Sequence, residues 1–283
     1  MTTITPDQVK SYHKTGYIHL KSILPTNLLE LSQFVLNRWT SETISQWHAQ
    51  NLIPSTYPEI DFQHRLLHAW HAAGKPTYSR SPRRDLVCPE MYQILVHPAL
   101  LDIAEALLCT SEISVHGIFN ARPKLPDQKW TDTPWHQDAQ YYRDAEETHV
   151  ISMWYPLQRT TEENSCLQVA PGLHGAKLVE GAVDEESGFL GLSREESADL
   201  KGHSIEMDPG DVLCFPQKMP HRALPNQSEA VRWSMDVRYE ATESATDSGR
   251  DKGFVVRSPG NSSAVESSDT WLSRWEGISA GTY

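Results

Sequence analysis

The chain has 283 residues, of which 39% are hydrophobic and 9% aromatic, so it is long enough to build one large domain around a packed core. Its formal net charge of −12 disfavours nucleic acids and anionic membranes as partners, although it leaves room for a locally basic pocket. No stretch approaches the ~18 apolar residues of a membrane helix, and the N-terminus lacks a signal-peptide pattern. Four scattered cysteines suit a reducing compartment, so we expect a cytoplasmic protein and leave its oligomeric state open.

The first third of the chain has the pattern of helices. Thr5-Pro6-Asp7-Gln8 combines a capping residue, a proline for the first turn and a capping-box partner, and Gly16 ends this first helix. The following sequence YIHLKSIL predicts a short strand. Apolar residues from Leu28 to Trp39 recur at helical spacing, and a third helix is predicted from Pro98 to about Cys109.

From about Ser111 the pattern changes to short runs rich in Val, Ile, Trp and Tyr that alternate with turn residues. Helices first and strands afterwards predict a strand-built sandwich or barrel with packed helices. We therefore expect a single domain over residues 1–283, with a helical part up to about residue 110, a core over about 111–240 and a C-terminal extension over 241–283. The acidic segment 176–200 is either a lid or a solvated surface loop.

The motif Trp135-His136-Gln137-Asp138 predicts metal ligands. Residues two apart in a strand point to the same face, so His136 and Asp138 can present an imidazole and a carboxylate to one point. Two histidines and one carboxylate on one face of an octahedron suit iron(II) and leave positions open for substrates. His221, after the strand DVLCF and a turn, is the best candidate for the third ligand.

Arg232 and Ser234 predict an anchor for a dicarboxylate cosubstrate. Arg232 follows His221 by eleven residues, and Ser234 faces the same way along the strand. If the metal binds the 2-oxo acid end of 2-oxoglutarate, a guanidinium is well suited to hold the distal carboxylate through paired charge-assisted hydrogen bonds.

These motifs together resemble the phytanoyl-CoA dioxygenase family of iron(II)/2-oxoglutarate oxygenases. The resemblance covers most of the chain and is carried by WHQD (135–138), NSCLQVAPGLH (164–174), GDVLCF (210–215) and the stretch from His221 through Arg232 to Tyr239. It implies a mainly-β, cupin-like jelly roll (a double-stranded β-helix) with flanking helices, and an enzyme that uses iron(II), 2-oxoglutarate and O₂. The usual PGSH turn is PGLH here, with Leu173, and we expect no loss of chemistry from this departure.

The resemblance also implies roles for individual residues. It places Trp154 and Ile118 beside the cosubstrate, in addition to Arg232. His116, Asn120 and Arg122 share the parity of Ile118, so all three should face the cavity if Ile118 does. Arg122 could then meet 2-oxoglutarate or an anionic substrate, or else end a strand in solvent. Gln137 and Tyr141 are candidates for substrate contact because they lie near the motif, and if the chain is extended at most one of Tyr141 and Tyr142 should face inward.

The predicted reaction is oxidation, most simply hydroxylation, of a C–H bond in a small organic molecule, with 2-oxoglutarate decarboxylated to succinate. The Asp138 carboxylate favours hydroxylation over halogenation, whereas desaturation, epoxidation and ring formation stay open. An acyl-CoA substrate is the alternative, with Arg80, Arg83 and Arg84 as the basic cluster that CoA would need.

Two further alternatives are a jelly-roll protein that binds a ligand without turnover and a cupin-type metal enzyme without 2-oxoglutarate. A second metal site is also conceivable, because His64, His68 and His71 would share one face of a helix that Asp61 precedes. The more common reading of such a stripe is a polar face near a cavity.

Overall fold

The computed structural model describes residues 4–79, 82–142, 149–246 and 251–277. In these ranges the helices are α1 (Pro6–Thr15), α2 (Thr26–Ala49), α3 (Arg65–Ala72), α4 (Pro89–Leu95), α5 (Pro98–Leu108), α6 (Arg194–Ser197) and α7 (Ser268–Ser273). The strands are β1 (Ile18–Leu20), β2 (Ile113–Val115), β3 (Asn120–Ala121), β4 (Val150–Pro156), β5 (Leu167–Val169), β6 (Ala182–Val183), β7 (Leu190–Gly191), β8 (His203–Ile205), β9 (Val212–Pro216), β10 (His221–Ala223), β11 (Ser234–Ala241) and β12 (Phe254–Arg257).

The N-terminal helix forms for the reasons that the sequence indicated. The Thr5 backbone N–H donates to Gln8 Oε1 at 2.8 Å, and the Gln8 N–H donates to Thr5 Oγ1 at 3.3 Å, which completes a capping box. Gly16 ends α1 with a φ of 80°, a left-handed conformation that favours glycine. The predicted starts of α2 after Pro25 and of α5 at Pro98 are also confirmed.

Two antiparallel sheets form the body of the molecule. The larger sheet has the strand order β1-β9-β4-β11-β2-β12, with β3 also paired to β11, and the smaller sheet has the order β10-β5-β8. Strands β6 and β7 form a separate hairpin. Because β1 and β12 come from the two ends of the described chain, both ends contribute to the larger sheet.

Side-chain alternation along the central strands separates two cores. On β4, Met153 and Tyr155 pack toward the helices, whereas Trp154 belongs to a cluster that includes Leu167 of β5 and Phe215 of β9. That second cluster contains side chains from both sheets and therefore lies between them. The helices cover the other face of the larger sheet, and the space between the sheets is left for the functional site.

The segment Pro89–Leu108 is strongly apolar. It contains an 18-residue window with a mean hydropathy of 1.3, enough by length and composition alone to cross a membrane, so the prediction that no stretch approaches this limit was wrong. In the structure this segment forms two helices, α4 and α5, which Val96 and His97 separate. Several of its apolar side chains, among them Ile94 and Ile103, are fully buried in the helix-covered core.

Candidate metal centre and active site

Three side chains that the sequence indicated come together between the sheets. One ligand atom from each of His136, Asp138 and His221 can be chosen so that all lie within 4.8 Å of one another. The side chains are buried, with exposed fractions of 6%, 3% and 5%. Within the described residues, this is the only such group of histidine, cysteine or acidic side chains.

The chain brings these residues together through a turn, and not through a continuous strand as expected. His136 pairs with His221 in an isolated antiparallel bridge, where each backbone N–H donates to the other carbonyl at 3.0 Å. Asp138 then begins a 3₁₀ turn, Asp138–Tyr141, which bends the backbone back over the site. His221 is the first residue of β10, so the smaller sheet fixes its position.

Both imidazoles are held in the tautomer that a metal requires. His136 Nδ1 lies 2.8 Å from the Pro134 carbonyl oxygen, and His221 Nδ1 lies 3.0 Å from the Met219 carbonyl oxygen. Because a carbonyl can only accept, each Nδ1 carries the proton and each Nε2 keeps its lone pair. Burial lowers the pKa of His136 to about 3, with repulsion from His221 adding to it, and burial also lowers the pKa of His221. Neutral rings are the ligand form.

Asp138 is held as a carboxylate by a buried arginine that the sequence analysis missed. Arg238 Nη2 donates to both Asp138 oxygens at 2.9 Å, and Ser152 Oγ donates to Oδ2 at 2.5 Å. Burial raises the pKa of Asp138, but the Arg238 guanidinium, together with the hydrogen bond from Ser152, outweighs burial and holds the pKa below its usual range. Alternation along β11 could have found Arg238, since it shares the parity of Ser234.

Arg232 lies near the His–Asp–His group, beside the ring of Trp154. It is 2% exposed, its Nη1 donates to Ser234 Oγ, and its guanidinium lies 5.3 Å from the Trp154 ring centroid. Burial, with repulsion from Arg122, lowers the pKa of Arg232 to about 9. Trp233 points to the opposite side, where its ring stacks on Phe62 at 4.8 Å between centroids.

The residues present fit iron(II) and 2-oxoglutarate. No carboxylate within the described residues pairs with Arg232, and its Nε has no hydrogen-bond partner there. A buried guanidinium without a counter-ion is costly, so this position calls for an anionic group from a ligand. One small cavity is lined by Arg232, Trp154 and all three members of the His–Asp–His group, which is the arrangement that a chelating dicarboxylate needs.

A larger cavity of about 640 Å³ opens from the same three-residue centre. His136 and Asp138 line its inner end, and Ile118, Asn120 and Arg122 line one wall, as the parity argument predicted for that strand. His116, which has the same parity, is instead buried against the ring of Tyr142, with the ring centroids 4.6 Å apart. This volume is typical of a site for a small organic ligand.

Of the other candidate substrate residues, Tyr141 lines the larger cavity and Gln137 does not. Tyr141 and Tyr142 both line the larger cavity, because a 3₁₀ turn replaces the extended chain for which at most one of them was expected to face inward. Gln137 is 1% exposed and its amide is used by the backbone, with Nε2 donating to the Lys218 carbonyl at 2.9 Å and Oε1 accepting from Val179 at 2.9 Å.

Part of the acidic segment 176–200 lines the larger cavity. Its β6–β7 hairpin brings Gly188, Phe189 and Leu190 to the cavity wall, and Tyr141 Oη donates to the Leu190 carbonyl at 3.0 Å. The segment is therefore one wall of the cavity, and its role as a lid stays a prediction.

The histidine stripe is not gathered into a metal site in the described structure. His64 pairs with Asp61 at 2.9 Å, whereas His68 packs edge-on against Tyr57 and His71 lies beside Trp70. These residues form part of the polar surface of α3 and of the segment that precedes it. Of the basic cluster, Arg80 lies outside the described residues, and Arg83 and Arg84 line the larger cavity.

Comparisons with known proteins identify the family of the chain. The family model "Phytanoyl-CoA dioxygenase (PhyH)" matches residues 12–234. The chain is 30% identical over 279 residues to 1-deoxypentalenic acid 11-beta-hydroxylase of Streptomyces arenae, an alignment that covers 94% of this chain and 89% of that protein. A match to a probable phytanoyl-CoA dioxygenase of Caenorhabditis elegans is 24% identical and spans about half of that protein, 51%. The solved structure of EctD from S. alaskensis with 2-oxoglutarate and 5-hydroxyectoine has a TM-score of 0.60, is 19% identical and covers 86% of this chain and 78% of that one.

A His–Asp–His group between the two sheets of a jelly roll is typical of a non-haem iron oxygenase that depends on 2-oxoglutarate. The chain belongs to the phytanoyl-CoA dioxygenase family. The predicted family, fold class, enzyme class and cofactors are therefore confirmed.

Proposed function

We propose that His136, Asp138 and His221 bind iron(II), and that Arg232 and Ser234 bind the distal carboxylate of 2-oxoglutarate beside Trp154. The carrying observation is that a buried guanidinium without a carboxylate partner shares one small cavity with the three ligand side chains. Ile118 lines the larger cavity beside the same centre, where we assign it to the border between cosubstrate and substrate.

The reaction that we propose is hydroxylation of a C–H bond in a substrate held in the larger cavity. When bound, iron(II) and 2-oxoglutarate supply the activation of O₂, so that one oxygen atom enters the substrate as a hydroxyl and 2-oxoglutarate leaves as succinate and CO₂. Asp138 fills the position that a halogenase would leave for chloride. The protein contributes two neutral imidazoles, one fixed carboxylate and a cavity that orients the substrate.

We propose a free small molecule as the substrate. The alignment to a hydroxylase of a small organic acid covers 89% of that protein, whereas the alignments to the nematode, human and mouse phytanoyl-CoA dioxygenases cover 51%, 47% and 47% of theirs. The presence of Arg83 and Arg84 at the larger cavity is the observation that keeps an acyl-CoA as a second candidate. A cytoplasmic location, without nucleic-acid or membrane partners, completes the proposal and accords with four free cysteine thiols.

The first test is the visible spectrum of the protein without oxygen. We expect a weak metal-to-ligand charge-transfer band that requires both iron(II) and 2-oxoglutarate, because only the chelate produces it. His221→Ala should abolish the band by removing a ligand. Arg232→Ala should retain iron binding and raise the concentration of 2-oxoglutarate needed for the band by about tenfold to hundredfold, the usual weight of a charge-assisted pair.

Two surface variants serve as controls. His174→Ala removes a histidine outside the cavity, and Arg159→Ala removes an arginine whose side chain is 65% exposed and pairs with Asp208. Both should give the wild-type band. Absence of the band in the wild-type protein at saturating iron and cosubstrate would refute the 2-oxoglutarate assignment, and metal analysis would then separate a cupin-type enzyme from a ligand-binding protein.

A further inference from the structure

The larger cavity is positively charged although the chain as a whole is acidic. Four arginines line it, namely Arg83, Arg84, Arg122 and Arg238, against two aspartates, Asp85 and Asp138. The net charge of the whole chain is −12, so this excess of cations is concentrated by the fold. Walls of low dielectric strengthen the field of such charges at a site.

Arg122 is the cation of this set best placed to bind a ligand. Arg238 is committed to Asp138 and to Asp236, at 2.9 and 3.0 Å. The Arg122 guanidinium, by contrast, has no carboxylate within ion-pair distance among the described residues, and it lies 5.3 Å from the centroid of the Phe189 ring. A contact over an aromatic ring uses a face of the guanidinium and not the edge that carries its N–H donors, and Arg122 lines the cavity.

The backbone of Arg122 is fixed where the two cavities meet. Its N–H donates to the Ser234 carbonyl at 3.1 Å. Two residues later, the backbone of Lys124 forms an antiparallel bridge with the backbone of Arg232. Arg122 accordingly lines both the small cavity of the cosubstrate and the larger one. An anion bound at Arg122 is thus held at a fixed place relative to the metal ligands.

The remainder of the larger cavity offers apolar and aromatic surface. Tyr78 and Trp130 meet edge to face with their ring centroids 4.9 Å apart, and Ile118, Phe189 and Leu190 complete this surface. A wholly polar substrate would bury little apolar surface against these side chains, whereas an apolar skeleton would gain the hydrophobic free energy of that burial.

We infer that the substrate is an apolar molecule with one oxyanion group, a carboxylate or a phosphonate, which Arg122 binds so that a C–H bond of the skeleton faces the metal centre. This inference rests on the proposed function for its chemistry, but binding of the oxyanion depends only on the cavity. Arg122 is then the residue that selects substrates with a negatively charged group.

Calorimetric titration of matched probes into the metal-free protein tests the inference. The probes share one skeleton and differ in the polar group: adamantane-1-carboxylate, adamantane-1-phosphonate, adamantane-1-carboxamide and adamantane-1-amine. We expect an oxyanion to bind at least tenfold more tightly than the amide or the amine. Arg122→Gln should weaken the oxyanion about tenfold to hundredfold and change the amide by less than about twofold. The carboxylate and phosphonate arms decide which oxyanion the site prefers.

Arg159→Gln is the control for loss of one positive charge, and it should leave all four affinities unchanged. Equal affinities of the oxyanions and the amide in the wild-type protein, or no binding of any probe, would overturn the inference. A third outcome also overturns it: Arg122→Gln leaves oxyanion binding intact and instead weakens 2-oxoglutarate in the charge-transfer titration, which would assign Arg122 to the cosubstrate. If oxyanions bind through Arg122 and no charge-transfer band forms, the inference stands and the proposed function fails.

Discussion

At the scale of single residues, the centre depends on one buried arginine. Arg238 Nη2 contacts both oxygens of Asp138 and one oxygen of Asp236, while Nη1 donates to the Ile118 carbonyl at 3.2 Å. Asp138 Oδ2 accepts from Arg238 Nε and Nη2 and from Ser152 Oγ, whereas Oδ1 accepts only from Arg238 Nη2 among these donors and lies 3.8 Å from His136 Nε2. Arg238 is therefore a positioning residue that acts through Asp138.

We predict that Arg238→Gln lowers the affinity for iron(II) by about tenfold to hundredfold, because the ligand carboxylate loses its orienting partner. The same change should destabilise the fold by about 3–5 kcal/mol, since Asp138 and Asp236 are left as unpaired buried acids. Metal titration and urea unfolding measure the two effects separately.

Arg257→Gln is a matched control, because Arg257 also pairs with two carboxylates, Asp102 at 2.9 Å and Glu105 at 2.6 Å, remote from the cavity. It should leave the affinity for iron unchanged. If both variants lose iron affinity equally, Arg238 has only a structural role, and partial recovery in Arg238→Lys would argue for positioning.

At the scale of elements, the end of α1 is packed against the turn that carries His221. A Cβ added at Gly16 would lie 2.2 Å from His174 Nδ1 and 2.4 Å from Met219 Cε, in addition to the cost of its φ of 80°. The carbonyl of Met219 accepts a hydrogen bond from His221 Nδ1–H. The glycine thus permits both the helix end and the close approach of this turn.

Gly16→Ala is expected to destabilise the protein by about 2–4 kcal/mol, the sum of a left-handed alanine and an overpacked contact. Gly74→Ala provides the comparison, because Gly74 has a similar φ of 76° and nothing within 4 Å of its added Cβ. It should cost only about 1–2 kcal/mol. Equal losses in the two variants, measured by urea unfolding, would show that the contact with His174 and Met219 relaxes freely.

At the scale of the whole molecule, the three proposed ligand side chains come from both sheets. His221 belongs to β10 of the smaller sheet, whereas Asp138 is tied to the larger sheet through Ser152 of β4 and Arg238 of β11. A metal ion held by both would link them directly, and the unfolded chain has no such preformed site. Metal binding should therefore stabilise the entire fold.

We predict that iron(II) at about one hundred times its dissociation constant, without oxygen, adds about 2.7 kcal/mol to the free energy of unfolding. For a chain of this size the melting temperature should rise by roughly 4–5 °C, and a chelator should reverse the shift. His221→Ala should lose the shift and His174→Ala should keep it. A shift of equal size in His221→Ala would place the stabilising metal elsewhere.

The sequence by itself determined the elements and the chemistry of the site. Local signals were sufficient for α1, since its capping box and Gly16 act within a few residues, and alternation was sufficient to place Arg232 and Ser234 on one face. The likeness of HQD, the late histidine and the arginine to a known family gave the cofactors.

Only the tertiary structure decided how these parts meet. A 3₁₀ turn at Asp138 takes the place of the expected strand, and both Tyr141 and Tyr142 face the cavity. The contacts that hold this turn, the backbone bridge from His136 to His221 and the hydrogen bonds from Arg238 to Asp138, come from residues far away in the sequence. The partners of Asp138 and the charge of the cavity likewise depend on side chains far apart in sequence. Their pairing is set by the packing of two sheets, which no local pattern encodes.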